Sequence, residues 1–234
     1  MIKRRALGQH FLTSDLVAEL IAENAHIKDT DTVLEVGTGK GILTLYLCKM
    51  AKMVISIEKD NLLFLRAKER FSNIKNLRLE HGDAFKTNPE FDIFVSNLPY
   101  SQSRRAIEWL AQRRFSHAVI MVQKEFAQKL SYKEGKGRKA VSVIASYCMG
   151  MEKLMDVRKE DFEPVPTVDS VILRLKSRHI LPRNVIGAVN MLFSFRRKSV
   201  RTIAKKAGLA FDSDKRLEDL SDGEIISLAE KIAK

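Results

Sequence analysis

The sequence predicts an α/β domain built on a mostly parallel sheet, followed by a small all-helical domain. Three observations carry this. Short runs rich in β-branched residues alternate with segments that are apolar at helical spacing as far as about residue 176. The first of these runs, Thr32 to Val36, leads into Gly37-Thr38-Gly39-Lys40-Gly41 and then an apolar helix, an order that brings backbone close to a ligand. From Ser177 onward the pattern is helical alone. The first domain is therefore placed at 1–176 and the second at 177–234.

Element by element, Thr13 or Ser14 caps a helix on which Leu16, Val17, Leu20 and Ile21 recur at helical spacing. Strands are expected at Thr32 to Val36, Met53 to Glu58, Leu77 to His81, Asp92 to Ser96 and His117 to Val122. Helices are expected at Ile42 to Lys49, Asn61 to Arg70, Ala106 to Arg113 and Phe126 to Leu130. A loop rich in glycine and basic residues runs from Lys133 to Lys139. Two further strands are expected at Ala140 to Met149 and Ser170 to Leu175. Little between them reads as a helix, so one should pair antiparallel. The second domain should hold helices at Val185 to Phe193, Val200 to Ala207, with Gly208 closing the latter, and Glu224 to Ile232.

The chain has 234 residues, enough to bury a full core, and is 45% hydrophobic. No apolar run reaches the roughly 18 residues of a membrane span. The start, Met1-Ile2-Lys3-Arg4-Arg5, lacks the apolar core of a secretory signal. Cys48 and Cys148 are the only cysteines, which disfavours a disulfide or metal cluster and points to a reducing cytoplasm. The histidines are scattered, so no metal site is expected. The net charge of +12 suits a polyanion: ribosomal RNA, other nucleic acid or an anionic membrane. Arg183, Arg196, Arg197, Lys198, Arg201, Lys205 and Lys206 share a stretch, 183–208, without an acidic residue. A charge run taken alone reads as a solvated helix face, but this length without a compensating acid shifts the balance towards a polyanion footprint.

Two carboxylates extend the glycine turn into a site. Glu58 ends the second strand, about 20 residues past the glycines, where an acid takes both hydroxyls of a ribose. Asp83, in Gly82-Asp83-Ala84, follows the third strand and can accept from an adenine amine. The glycine spacing is not that of dinucleotide enzymes, and Lys40 is followed by Gly41, so no Walker loop is present. A phosphate-free adenosyl ligand, S-adenosylmethionine, fits better. Glu35 either meets the cationic end of that ligand or is a paired charge beneath the turn. His10 can cover the methionine end.

The fourth strand ends in Asn97-Leu98-Pro99-Tyr100, an amide, a rigid turn and a ring at the carboxyl edge of the sheet. An adenine N6 amine is a poor nucleophile because its lone pair is delocalised. The Asn97 amide oxygen and a backbone carbonyl of the turn can each accept one N–H, favouring a tetrahedral nitrogen with its lone pair aimed at a methyl donor. Tyr100 can stack on the flipped base, and Phe162 is a candidate for the opposite face or, alternatively, a core anchor.

Taken in order, Gly8-Gln9-His10-Phe11-Leu12, Glu35 to Gly41, Glu58, Gly82-Asp83-Ala84, Asn97 to Tyr100, Phe162 to Ser170 and Phe195-Arg196-Arg197-Lys198 are highly specific. Over nearly its full length the chain resembles the ribosomal RNA adenine N6,N6-dimethyltransferases, the kasugamycin-sensitivity dimethylase family, in its archaeal and eukaryotic branch. The resemblance implies a Rossmann-like S-adenosylmethionine-dependent methyltransferase. It implies dimethylation of two adjacent adenosines near the 3′ end of small-subunit rRNA and a role in subunit assembly. Cofactor contacts carry over onto His10, Leu12, Gly37, Gly39, Glu58, Asp83, Ala84 and Asn97. Catalytic positions carry over onto Asn97, Leu98, Pro99 and Tyr100, base stacking onto Tyr100 and Phe162, and RNA contacts onto Arg196, Arg197, Lys198 and Arg201. The expected partner is small-subunit rRNA or a subunit precursor, with no membrane and a single chain acting as a monomer. Ser101-Gln102-Ser103-Arg104-Arg105 departs from the family's usual proline-containing stretch. The alternatives are a macrolide-resistance-type methylase of large-subunit rRNA, a DNA adenine methyltransferase, and a non-catalytic assembly factor on the same fold.

Overall fold

The computed structural model describes residues 10–133, 135, 137–196, 198–206, 208 and 214–234. Met1 to Arg5, Gly8, Gln9, Arg197 and Ala207, named above, lie outside the described residues. The elements in chain order are β1 (Phe11–Leu12), α1 (Asp15–Asn24), β2 (Thr32–Val36), α2 (Ile42–Met50), β3 (Met53–Glu58), α3 (Asn61–Arg70), β4 (Leu77–His81) and β5 (Ile93–Asn97). They continue with α4 (Ser103–Leu110), β6 (His117–Gln123), α5 (Lys124–Ser131), α6 (Ala140–Cys148), β7 (Met149–Val157), β8 (Phe162–Glu163) and β9 (Ser170–Ser177). The last helices are α7 (Arg183–Ser194), α8 (Val200–Lys206) and α9 (Asp222–Ile232).

The described residues form a seven-stranded sheet in the order β4-β3-β2-β5-β6-β9-β7. Its β4-β3-β2-β5-β6 portion is parallel. β9 runs antiparallel to β6, in line with the expectation that one of the last strands would do so. The order reverses direction between β2 and β5, so a crevice opens there at the carboxyl ends of the strands. Val33, Leu34, Ile93, Phe94 and Val95 in these two strands are almost inaccessible, as expected for a parallel sheet covered on both faces.

One expectation is corrected. The run Ala140 to Cys148 is a helix, not a strand, and the strand begins only at Met149. Ala140, Val141, Ser142, Val143, Ile144, Ala145 and Cys148 are all buried, so no polar face marks the helical period. A short, largely buried run that holds Val141, Val143 and Ile144 cannot be assigned by periodicity alone.

Two compact units are present. The first comprises Met1–Ser103, Phe115–Lys124 and Met151–Lys176, and the second Arg104–Arg114, Glu125–Gly150 and Ser177–Lys234. The single cut expected after residue 176 therefore differs from the observed division, because segments inserted between the later strands group with the C-terminal helices. In the first unit Val17, Ile21, Leu43, Leu47, Val54, Val95 and Met121 form one apolar cluster. In the second, α6, α7 and α9 pack together. There the buried Arg138 guanidinium donates to the Leu220 carbonyl and pairs with Asp222, tying the basic loop to the start of α9. No helix among the described residues is long and apolar enough to cross a membrane.

Candidate active site

The site is built where β2 and β5 end side by side. Ser96 Oγ donates to the Val36 carbonyl at 2.5 Å, locking the two strand ends. Gly37 follows with φ of 86°, a left-handed conformation that disfavours any side chain. A Cβ there would meet no protein atom within 4 Å, because it would project into the cleft. Gly41 is required for packing: its Cβ would sit 2.2 Å from the Phe71 ring.

Beneath the turn lies Glu35, only 1% exposed. Its Oε2 accepts from Thr44 Oγ1 at 2.7 Å and Ser56 Oγ at 2.6 Å. Burial pushes the Glu35 carboxyl up to about 7, against the opposing pull of the Ser56 and Thr44 hydrogen bonds. Glu35 is thus partnered beneath the turn and also borders the cleft, so both readings taken from the sequence stand. Ser56 and Thr38, joined at 2.6 Å, complete this support and were not singled out from the sequence.

Glu58 stands between the two ends of the cleft. Its Oε2 accepts from the Gly39 N–H at 2.9 Å and its Oε1 from the Asp60 N–H at 2.8 Å. On one side the cleft is walled by His10, Phe11, Leu12, Gly37, Thr38, Gly39, Lys40, Asn97 and Pro99. On the other it widens to a volume of about 490 Å³ lined by Gly37, Glu58, Asp60, Gly82, Asp83, Ala84, Pro99, Ser101 and Gln102. That size suits a small organic ligand. Asp83 caps the turn that follows it by accepting from the Phe85 N–H at 3.2 Å. Lys40, Ser101 and Gln102 also reach the cleft, although the sequence offered no signal for them beyond proximity to motifs.

The tetrapeptide is divided in its duties. Leu98 is buried as a whole residue, at 1% exposure, and supports the turn from within. The Pro99 carbonyl accepts from the Gln102 N–H at 2.7 Å and closes the turn into α4. Asn97 and Pro99 line the cleft beside the glycine turn. Tyr100 is half-buried, and its hydroxyl shares a 2.9 Å hydrogen bond with Ser170 Oγ. Its ring is stacked with His10 at 5.4 Å between centroids. Burial raises the phenol above its ordinary value, so it keeps its proton at neutral pH.

His10 and Leu12 reach the cleft through a contact the sequence did not reveal. β1 pairs antiparallel with β8, matching Phe11 to Glu163 and Leu12 to Phe162. His10 Nδ1 donates to the Pro164 carbonyl at 2.7 Å, and Lys40 Nζ meets Glu163 Oε2 at 2.5 Å across the glycine turn. The same pairing corrects the role expected for Phe162. Its ring is 2% exposed and belongs to the apolar cluster with Leu12, Val17 and Ile21. It is a core anchor and does not present a face to a base.

The basic candidates lie in the second unit. Arg196 is half-buried, while Lys198 and Arg201 are exposed. Arg201 reaches Asp214 at 3.2 Å, an acid beyond the stretch read from the sequence. Arg104, one of the departures from the family pattern, is held by Glu108 at 2.9 Å and Asn190 at 2.8 Å.

A parallel sheet with its crevice at the switch point, a glycine cradle, and carboxylates at the ends of β3 and β4 fit an adenosyl ligand without phosphates. They define a Rossmann-like methyltransferase that uses S-adenosylmethionine. The solved dimethyladenosine transferase of Plasmodium falciparum superposes with a TM-score of 0.77, at 27% identity, covering 94% of this chain and 96% of that one. The fold is shared with the 23S rRNA methyltransferase ErmE, with a TM-score of 0.67 at 24% identity over 96% of this chain and all of that one. A sequence model of ribosomal RNA adenine dimethylase matches residues 2–234. Ribosomal RNA small subunit methyltransferase A of Thermotoga neapolitana is 36% identical, covering 96% of this chain and 90% of that protein. A probable dimethyladenosine transferase of Caenorhabditis elegans is 38% identical over 79% of this chain and 61% of that protein. The chain belongs to the ribosomal RNA adenine dimethylase family.

Proposed function

We propose that the protein dimethylates the N6 amines of two adjacent adenosines near the 3′ end of small-subunit rRNA, on the RNA or on a subunit precursor. The observation that carries this is the placement of Asn97 beside the glycine turn, in the wall of the cleft. S-adenosylmethionine, when bound, supplies a methyl group on a cationic sulfur. Glu58 is suited to its ribose hydroxyls, Asp83 to its adenine amine, and the cradle of Gly37 and Gly39 to its methionine end. His10 and Leu12 wall that end, and Ala84 backs the adenine side.

The protein's part in the chemistry is orientation. The Asn97 amide oxygen and a backbone carbonyl of the turn each accept one N–H of the target amine, which localises its lone pair. Tyr100 offers the ring against which the flipped base stacks. Arg196, Lys198 and Arg201, with Arg197, supply charge for the phosphates. The reading places the protein in a reducing cytoplasm, in keeping with the free thiols of Cys48 and Cys148, and takes the monomer as the working unit.

The test is incubation with labelled S-adenosylmethionine and undermethylated small ribosomal subunits, followed by mapping of modified bases. Dimethyladenosine at two neighbouring positions near the 3′ end is expected. Modification confined to large-subunit rRNA, or cofactor binding without transfer, would overturn the assignment.

A further inference from the structure

We propose that Ser170 is a positioning residue for the methylated base, acting through Tyr100. The inference rests on the reading that Tyr100 is the stacking platform for the target adenine. A half-buried tyrosine ring in a turn can rotate about its side-chain bonds unless something holds both its face and its tip. Both are held here. His10 covers one face, with ring centroids 5.4 Å apart and 29° between planes. The tip is pinned by Ser170 Oγ at 2.9 Å.

Ser170 is well placed to fix an angle. It is the first residue of β9, it is fully buried, and its backbone is paired with Gln123 of β6. The Ser170 hydroxyl is therefore carried by the sheet itself, on a strand separated from Tyr100 by 70 residues of sequence. The preceding residue is fixed as well, since the Asp169 carbonyl accepts from the Lys124 N–H at 3.0 Å. His10 is anchored in turn by its Nδ1–H on the Pro164 carbonyl. With one face of the ring covered, a base can stack only on the other. With the tip tethered to a strand, the plane of that face is set relative to β5, which carries Asn97. A base stacked there is presented to Asn97 at a defined angle, and small errors of angle are costly in a transfer that needs a directed lone pair.

The arrangement predicts how variants divide kinetic parameters. Losing one neutral hydrogen bond of this kind corresponds to about fivefold. Ser170→Ala and Tyr100→Phe remove the same bond from opposite ends. Each is expected to lower kcat about fivefold on undermethylated small subunits. KM for the subunits should stay unchanged, because phosphate contacts dominate affinity. The dissociation constant for S-adenosylmethionine, measured by calorimetry, should also stay at the parent value. The double variant should be no slower than either single one, since the bond can be lost only once. Ser170→Thr keeps the hydroxyl and should restore most of the rate.

Parent kcat in both single variants, or losses that multiply in the double variant, would overturn the inference. So would a Ser170→Ala variant whose cofactor affinity falls with its rate, which would make the residue structural only. If the parent enzyme itself fails to methylate adenosine in small subunits, the functional reading fails instead, and the two failures are told apart by that control.

Discussion

In the proposed reaction, Asn97 is the residue on which the chemistry turns. It has to accept an N–H without acting as a strong base, and it sits at the end of β5 facing the cleft. Asn97→Ala should cut methyl transfer by about 100-fold or more, the usual cost of losing a preorganised polar group, while cofactor binding is kept or modestly weakened. Single-turnover transfer alongside calorimetry of S-adenosylmethionine checks this, and undiminished transfer would remove the lone-pair argument. Glu35 gives a second test at this scale. Its folded pKa of about 7 exceeds the ordinary value of 4.5, so the folded state holds a proton that the unfolded chain has released. The sign follows from linkage: this contribution to stability is present in full below pH 4.5 and is lost as pH rises through about 7. The loss is on the order of 3 kcal/mol. Glu35→Gln should flatten the fall in stability between pH 5 and pH 8, as read by urea denaturation.

At the scale of elements, the pairing of β1 with β8 and the turn after β2 are the parts that shape the cleft. Phe162 is where these expectations can be separated. As a core anchor, Phe162→Ala should cost about 3–5 kcal/mol of stability. Phe162→Leu, which keeps most of the apolar volume, should retain near-parental kcat. A large loss of kcat in a stable Phe162→Leu protein would restore the stacking role. The helix α6 shows why elements were not all legible. Val141, Val143 and Ile144 favour a strand by local preference, yet all are buried within the helix that packs with α7 and α9. By contrast α3 was legible to the residue, because Asp60 caps it through the Leu62 and Leu63 N–H groups and its basic residues gather at the end.

At the scale of the whole molecule, the proposed meeting with RNA is a question of charge. The net +12 is the excess of bases over acids, and several of those bases already face an acid: Arg138 meets Asp222, Arg104 meets Glu108, Arg174 meets Glu152 and Arg201 meets Asp214. Arg196 and Lys198 are the better candidates for phosphate contacts. Reversing both to glutamate should weaken binding and reduce the slope of log K against log salt by about 1.5–2. Filter binding across a salt series measures this. A variant with the parent's affinity and slope would mean that the stretch is a solvated face.

What the sequence determined by itself is the family, with its cofactor and class of reaction. Gly37 to Gly41, Glu58, Asp83 and Asn97 to Tyr100 are contiguous motifs at strand ends, and a strand end carries its own address in an α/β sheet. What only the tertiary structure decided are the relations between distant segments. It placed Phe162 in the core, turned Ala140 to Cys148 into a helix, brought Asp214 to Arg201 and set Ser170 against Tyr100. The reason is physical: turn geometry and strand ends are encoded within a few residues, whereas burial and pairing depend on partners that sequence spacing does not specify.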